Sequence, residues 1–183
     1  MERKLQNASN IDTKTVVYVG IMAAITYVAT SMINLKTFMG VVHLGDSMVL
    51  LGAILLGKRN GAISAAIGMT LFDLLSGYVM WAPFTFIIKA TMAFIVGSIA
   101  FRKEYQGQNI FNNLFSFIIA SIWMICGYFV TGIILAKVTM ESPTLASAVA
   151  IAAKDVIGNI GQGTAAIVIA LPLSTILKAK IRL

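Results

Sequence analysis

Long apolar runs constrain the fold of this chain more than any other feature of its sequence. A helix needs about 20 mainly apolar residues to cross the roughly 30 Å hydrocarbon core of a bilayer. Six runs, two of them shorter than the others, occupy most of the 183 residues, at about 15–34, 46–57, 61–77, 84–101, 110–137 and 148–177. We therefore predict an all-α integral membrane protein, a six-transmembrane-helix bundle that forms one membrane domain over residues 1–183.

The composition of the chain favours a fold in lipid over a fold in water. Hydrophobic residues make up 58% of the chain and charged residues 11%, whereas soluble domains carry about 25% charged residues. Folded in water, such a chain would expose large apolar patches. The six runs and their short connections leave no room for a separate soluble domain.

Lysine and arginine are distributed unequally between the two sides that six spans would create. One side carries ten of them and the other carries two, Lys36 and Lys137. Cytoplasmic loops are enriched in these residues, so we predict that the N and C termini are both cytoplasmic. The net charge of +7 then reflects topology and attraction to anionic membrane lipid, and nucleic-acid binding is not predicted.

Four charged residues fall inside predicted spans, where a charge at the helix centre costs about 2.5–3.5 kcal/mol. They are Asp73, Lys89, Lys154 and Asp155. The predicted orientation places all four in the outer half of the bundle, which predicts a polar site there. Two alternatives stay open: Lys89 could form a structural ion pair with Asp73 or Asp155, and Lys154 could extend to the outer surface.

The last run adds a polar helix face to this outer region. Asp155, Asn159 and Gln162 are spaced i, i+4 and i+7, so they share one face of a helix. Glycines lie among them, and small residues let a ligand or another helix approach the backbone closely. Packing between helices is the alternative interpretation of these glycines.

The outer loops contribute aromatic and imidazole side chains. Tyr78 and Trp81 precede Pro83, and His43 lies in the first loop. The two aromatic residues could stack on a ligand ring or belong to an interfacial aromatic belt. His43 is expected to be a solvated loop residue rather than a metal ligand.

The sequence predicts neither an enzyme nor a metal or cofactor site. The chain has one histidine and one cysteine, Cys126, so neither a metal-ligand cluster nor a paired nucleophile and base can be assembled. The segment from Gly52 to Arg59, GAILLGKR, approximates a phosphate-binding loop, but Arg59 stands where Ser or Thr would bind magnesium. We interpret it as a chance match, so an ATP-driven step would require a partner protein.

The first run carries a small-residue face. Gly20 and Ala24 are spaced i and i+4, with Ala23 beside them, a pattern that permits close helix packing. The face could dock another membrane protein or pack within this bundle.

Several short motifs between residues 40 and 98 resemble those of a known family. They are His43-Leu44-Gly45-Asp46, Leu55-Leu56-Gly57-Lys58-Arg59-Asn60-Gly61, Asp73-Leu74-Leu75-Ser76-Gly77-Tyr78, Ala82-Pro83-Phe84-Thr85 and Ile88-Lys89. The chain is similar to the substrate-binding S components of energy-coupling factor (ECF) vitamin transporters. Within the riboflavin-type branch it is most like the hydroxymethylpyrimidine and pyridoxine carriers.

This resemblance implies a transport subunit of the bacterial cell membrane with defined partners. An S component binds a vitamin or its precursor in its outer half, beneath the loop that joins the first two spans. It docks on a transmembrane T component that carries two ATPases. The docking residues in such proteins lie on the first span, here Gly20, Ala23 and Ala24, with glycine in place of one of the usual alanines.

We therefore expect the substrate site in the outer half of the bundle. Lys89, Asp155 and Asn159 are expected to bond a small heteroaromatic ligand, with Asp73 holding Lys89 in position. The residues expected around them are Tyr78 or Trp81 as a stacking ring, Gln162 and His43 as further contacts, and 35–45 as a lid. The alternatives are riboflavin or another vitamin as substrate, a solitary ion-coupled transporter, and a membrane scaffold whose ion pair is purely structural.

Overall fold

The structure, a computed structural model, describes residues 12–38, 40–139 and 144–180. It is helical except for one short hairpin. The elements in chain order are α1 (Thr13–Met32), β1 (Asn34–Lys36), β2 (Val41–His43), α2 (Gly45–Leu75), α3 (Ala82–Ala100), α4 (Ile110–Thr139), α5 (Leu145–Ala153) and α6 (Val156–Lys180).

Helix α2 is broken at Gly57, where the chain reverses. Gly57 has φ 77° and ψ 178°, a backbone conformation that glycine adopts without the steric cost of a Cβ. A Cβ on Gly61 would lie 2.6 Å from the Cα of Ala53, although eight residues of straight helix would separate the two by about 12 Å. The segments 45–56 and 58–75 are therefore two antiparallel arms, and the turn predicted at 58–60 begins at Gly57.

By length and hydropathy, five helices of the described chain could cross a membrane, with the two arms of α2 taken together and α5 taken with α6. Large apolar side chains cover the outside of the bundle, including Phe111 at 82% exposure and Ile157 at 80%. An outer surface of this kind is stable in lipid and not in water. The predicted count of six requires each arm of α2 to span separately.

The last predicted run, 148–177, is not one continuous helix. α5 ends at Ala153 and α6 begins at Val156, so Lys154 and Asp155 lie at a break in the helix, within the candidate span Leu145–Lys180. The Oδ1 atom of Asp155 accepts a hydrogen bond from the backbone N–H of Phe38 at 3.0 Å. Aspartate is a poor residue for a helix interior because its side chain competes for backbone hydrogen bonds.

The loop predicted at 35–45 contains an antiparallel β-hairpin. Asn34 pairs with His43, and Lys36 pairs with Val41. The predicted all-α class is confirmed for the bundle, and the predicted loop contains two short strands that the sequence did not indicate. The reason is local: the segment is too short to form another helix, and Val41 and Val42 favour extended backbone.

Small residues bring the helices close together in the core. A Cβ on Gly97 of α3 would lie 2.4 Å from the Cα of Lys58, and one on Gly68 would lie 2.5 Å from the carbonyl oxygen of Ala23. Ala23 is therefore part of the core, at 5% exposure, and is not available as a docking residue. Gly20 and Ala24 are exposed.

The close approach at Gly61 gives a testable consequence for stability. Gly61→Ala places a methyl group against the Ala53 backbone, so we expect it to lower the free energy of unfolding by about 1–3 kcal/mol. Gly161→Ala is the matched control, because a Cβ there meets nothing within 4 Å. Thermal unfolding of both variants in detergent would test this. Equal stability of the two variants would contradict the packing of the arms.

Candidate ligand-binding cleft

A cleft lies between the β-hairpin and the ends of the helices next to it. The empty space between its walls is at most about 510 Å³, and this figure includes open solvent outside the enclosed part of the cleft. The lining residues are Thr37, Gly40, Val41, His43, Asp73, Tyr78, Trp81, Thr85, Tyr128, Gly132, Ala152, Asp155 and Asn159.

Two tight turns after α2 place the aromatic side chains of the wall. The Tyr78 backbone N–H donates to the carbonyl oxygen of Asp73 at 2.8 Å, and the Trp81 N–H donates to that of Tyr78 at 2.8 Å. Gly77, directly before Tyr78, has φ 87°, a backbone conformation that favours glycine. On the far side, the Trp81 and Tyr128 rings lie 5.9 Å apart. The wall thus presents aromatic faces next to the Asp73 carboxylate.

The hairpin covers the cleft and is held to the last helix. Its two anchors are the bond from the Phe38 N–H to Asp155 Oδ1 and a bond from the His43 N–H to Gln162 Oε1 at 2.9 Å. Gly158 lies under the hairpin, where a Cβ would come within 2.9 Å of a Val42 methyl carbon. The hairpin therefore lies flat on the start of α6.

A buried ion pair lies beneath the cleft. The ammonium group of Lys89 pairs with Asp46 Oδ1, and both side chains are fully buried. The other carboxylate oxygen of Asp46 accepts a bond from Gln162 Nε2 at 2.7 Å. The Tyr128 ring lies 4.9 Å from the Lys89 ammonium, within the range of a cation–π contact. One amide, Gln162, thus connects the ion pair to the hairpin.

The partner predicted for Lys89 is wrong. The structure pairs Lys89 with Asp46 rather than with Asp73 or Asp155. Asp46 is the second residue of α2, at the edge of an apolar run, so its burial was not foreseen from the sequence. The signal for Asp46 in the sequence was the motif His43-Leu44-Gly45-Asp46, in which a carboxylate follows a glycine. In the structure, that glycine packs against Thr30.

The eight predicted binding residues divide into two groups. Lys89 and Gln162 lie outside the cleft lining, in the network beneath it. The residues that line the cleft are His43, Asp73, Tyr78, Trp81, Asp155 and Asn159. The contact of any of them with a ligand stays a prediction.

His43 is not the solvated loop residue that the sequence suggested. It is 6% exposed, and its ring packs edge-on to Phe72 at 5.7 Å. Burial away from water lowers the pKa of His43 from 6.5 to about 4, so the ring is neutral at pH 7. Its Nδ1 atom is buried and has no hydrogen-bond partner among the described residues.

Among the polar side chains of the wall, sequence reasoning did not single out Thr85 and Tyr128, and it included Thr37 only as part of the lid 35–45. The hydroxyl groups of Thr85 and Tyr128 lie 3.2 Å apart. Tyr128 could have been noticed as a hydroxyl-bearing side chain in the middle of the long apolar run 110–137. Thr85 could have been noticed because it ends the quoted motif Ala82-Pro83-Phe84-Thr85.

The fold and the cleft define a class of protein. Apolar helices with an apolar exterior make it a multi-pass membrane protein. The cleft beneath the hairpin combines aromatic side chains with a few polar groups, the kind of lining that small-molecule sites have.

The chain belongs to the family of ECF-type riboflavin transporter S components, whose model matches residues 10–179. Members of this family are the vitamin-binding subunits of ECF transporters, so the chain is a substrate-binding transport subunit rather than an enzyme. The family also implies partnership with T and ATPase components.

Two further comparisons found a solved structure with the same fold and a sequence relative. The solved structure of the S component of a bacterial ECF transporter has a TM-score of 0.67 with this chain, covering 93% of this chain and 98% of that one at 19% identity. A protein of Pyrococcus woesei described as uncharacterized is 33% identical over 89 residues. This match spans 49% of this chain and 57% of that protein's length.

The ion pair predicts strong coupling between its partners. Lys89→Met and Asp46→Asn each leave one buried polar group without its partner, so each is expected to cost about 3–5 kcal/mol of stability. The double variant should cost clearly less than the sum of the two. Unfolding of the four proteins in detergent measures this cycle. Additive losses would mean that the two side chains do not interact.

Proposed function

We propose that this chain is the high-affinity vitamin-binding S component of an ATP-driven ECF importer, with hydroxymethylpyrimidine or pyridoxine as its substrate. The observation that carries the proposal is the cleft, in which aromatic faces of Tyr78, Trp81 and Tyr128 stand beside the Asp73 carboxylate. Such a lining suits a small polar heteroaromatic ring. The choice among vitamins rests on the resemblance of the motifs between residues 40 and 98.

The proposed topology has six spans and two cytoplasmic termini in a bacterial cell membrane. The reversal at Gly57 supports the sixth span, because it turns α2 into two antiparallel arms. The excess of lysine and arginine supports the orientation: Lys58 and Arg59 at this reversal then lie on the same side as Lys178 and Lys180. In this orientation the hairpin and the cleft face the outside, where the vitamin is captured.

The ligand-binding roles are proposed for the residues that line the cleft. Asp73, Asp155 and Asn159 offer hydrogen-bonding groups, Tyr78 or Trp81 stacks on the ring, and the hairpin acts as the lid. Lys89 and Gln162 are proposed to act indirectly, since neither lines the cleft and the Lys89 ammonium contacts the ring of Tyr128, which does. They hold the hairpin end of the site in place through Asp46.

The proposed partners are a transmembrane T component and two ATPases. Gly20 and Ala24 are the proposed docking residues, since they are exposed and leave the helix surface flat. A flat surface of small residues permits close approach of a second helix.

Docking can be tested separately from ligand capture. Gly20→Leu fills the flat surface of α1, so we expect it to reduce vitamin uptake in cells that express the whole transporter, by about tenfold or more if docking loses at least 1.4 kcal/mol. Vitamin binding by the purified variant should be unchanged. Gly161→Leu is the control, because Gly161 is equally exposed on α6. Equal loss of uptake in both variants would contradict a docking role for Gly20.

A solitary ion-coupled transporter is the second candidate, and the buried pair of Lys89 and Asp46 is what favours it. Buried ionisable groups in membrane proteins often mark ion or proton pathways. Uptake in cells that lack the T component and the ATPases separates the two candidates. Loss of uptake without the partners supports the S component, and undiminished uptake supports the solitary transporter.

A further inference from the structure

Two buried polar atoms in residues of the cleft wall have no partner within the described chain. They are Oδ2 of Asp73 and Nδ1 of His43. Both residues are at least nine-tenths buried, with Asp73 at 5% exposure and His43 at 6%. Buried polar atoms are rarely left without a hydrogen bond, and an exception calls for a ligand, an ion or a water.

The two atoms come from different elements that meet at the same wall. Asp73 lies near the end of the second arm of α2, and His43 ends β2 in the hairpin. Phe72 packs between the His43 and Tyr78 rings, edge-on to the first and stacked at 6.1 Å on the second. The residues with unpartnered atoms thus line the same cleft as the rings of Tyr78 and Trp81.

The charges of the wall decide which ligands it accepts. Asp73 and Asp155 line the cleft, and no lysine or arginine among the described residues does. Lys89 is paired with Asp46 beneath Tyr128, and the Lys154 ammonium lies over the Phe38 ring at 3.9 Å. A carboxylate or phosphate on a ligand would face the two acidic groups without a cation in the lining, which discriminates against it.

We propose that Asp73 selects for a ring that donates a hydrogen bond, and that the substrate class is a neutral or cationic amino-heterocycle or protonated pyridine rather than an anionic vitamin. The ligand N–H donates to Asp73 Oδ2, and His43 Nδ1 takes part in a second bond to the same ring. A neutral imidazole can donate from one nitrogen and accept at the other, so His43 can bond to either a donor or an acceptor group on the ligand ring. The inference rests on the proposed function, since it concerns the same cleft.

A pair of nearly identical ligands tests the inference on the unmodified protein. Hydroxymethylpyrimidine carries a ring amino group, and in its analogue a methyl group of similar size replaces that amino group. Calorimetry with the purified protein in detergent should show the amino compound binding about tenfold more tightly or better, because the methyl analogue leaves a buried carboxylate oxygen unpaired. Pantothenate, which carries a carboxylate, should not compete.

A variant then assigns the preference to Asp73. Asp73→Asn keeps the shape of the side chain but removes its charge, so the ratio of the two affinities should fall toward one. Asp12→Asn makes the same change at the exposed start of α1, where asparagine also caps a helix, and should keep the wild-type ratio. A ratio that stays unchanged in Asp73→Asn would overturn the inference.

The outcomes separate the inference from the proposed function. Equal binding of the amino and methyl compounds, or tight binding of pantothenate, overturns the selection by Asp73 and leaves the capture of a vitamin standing. A folded wild-type protein that binds no vitamin, riboflavin included, overturns both. If Asp73→Asn fails to fold, the ligand pair on the wild-type protein decides alone.

Discussion

The buried ion pair between Lys89 and Asp46 is the interaction on which the rest of the site depends. It joins α3 to the start of α2, and each partner would be costly to bury alone. Gln162 of α6 donates a hydrogen bond to the Asp46 carboxylate and accepts one from the His43 backbone N–H. Three helices therefore meet at one carboxylate, and the hairpin is joined to it through Gln162. The floor and the cover of the cleft are positioned by the same few bonds.

This arrangement separates the ion pair that holds the fold from the carboxylate that lines the cleft. Lys89 is neutralised below Tyr128, whereas Asp73 retains a buried oxygen without a protein partner. The hairpin is tied to the start of the last helix through hydrogen bonds from the backbone N–H groups of Phe38 and His43 to the side chains of Asp155 and Gln162. In the lid role that we propose for the hairpin, these bonds open to admit the ligand. Neither bond belongs to the helical core.

The helical architecture could be predicted from the sequence because apolar runs of membrane length have few other folds available. Asp73, Tyr78 and Trp81 could be predicted as neighbours because they lie close together in sequence near one end of two runs. The partner of Lys89 could not, since Asp46 is 43 residues away and sits at the edge of an apolar run. The hairpin and the break at Lys154 and Asp155 depend on tertiary contacts. Run length and hydropathy contain no information about such contacts. His43 was misjudged for the same reason, because its burial comes from Phe72 and not from its own segment.

The most direct test of the account is an experimental structure of the purified protein with hydroxymethylpyrimidine bound. The account predicts the ring beneath the hairpin, against the aromatic wall and within hydrogen-bonding distance of Asp73, with Lys89 still paired to Asp46. A ligand that contacts Lys89 directly while Asp46 is released would contradict the separation of the two charges. A ligand bound elsewhere on the bundle would contradict the assignment of the cleft itself.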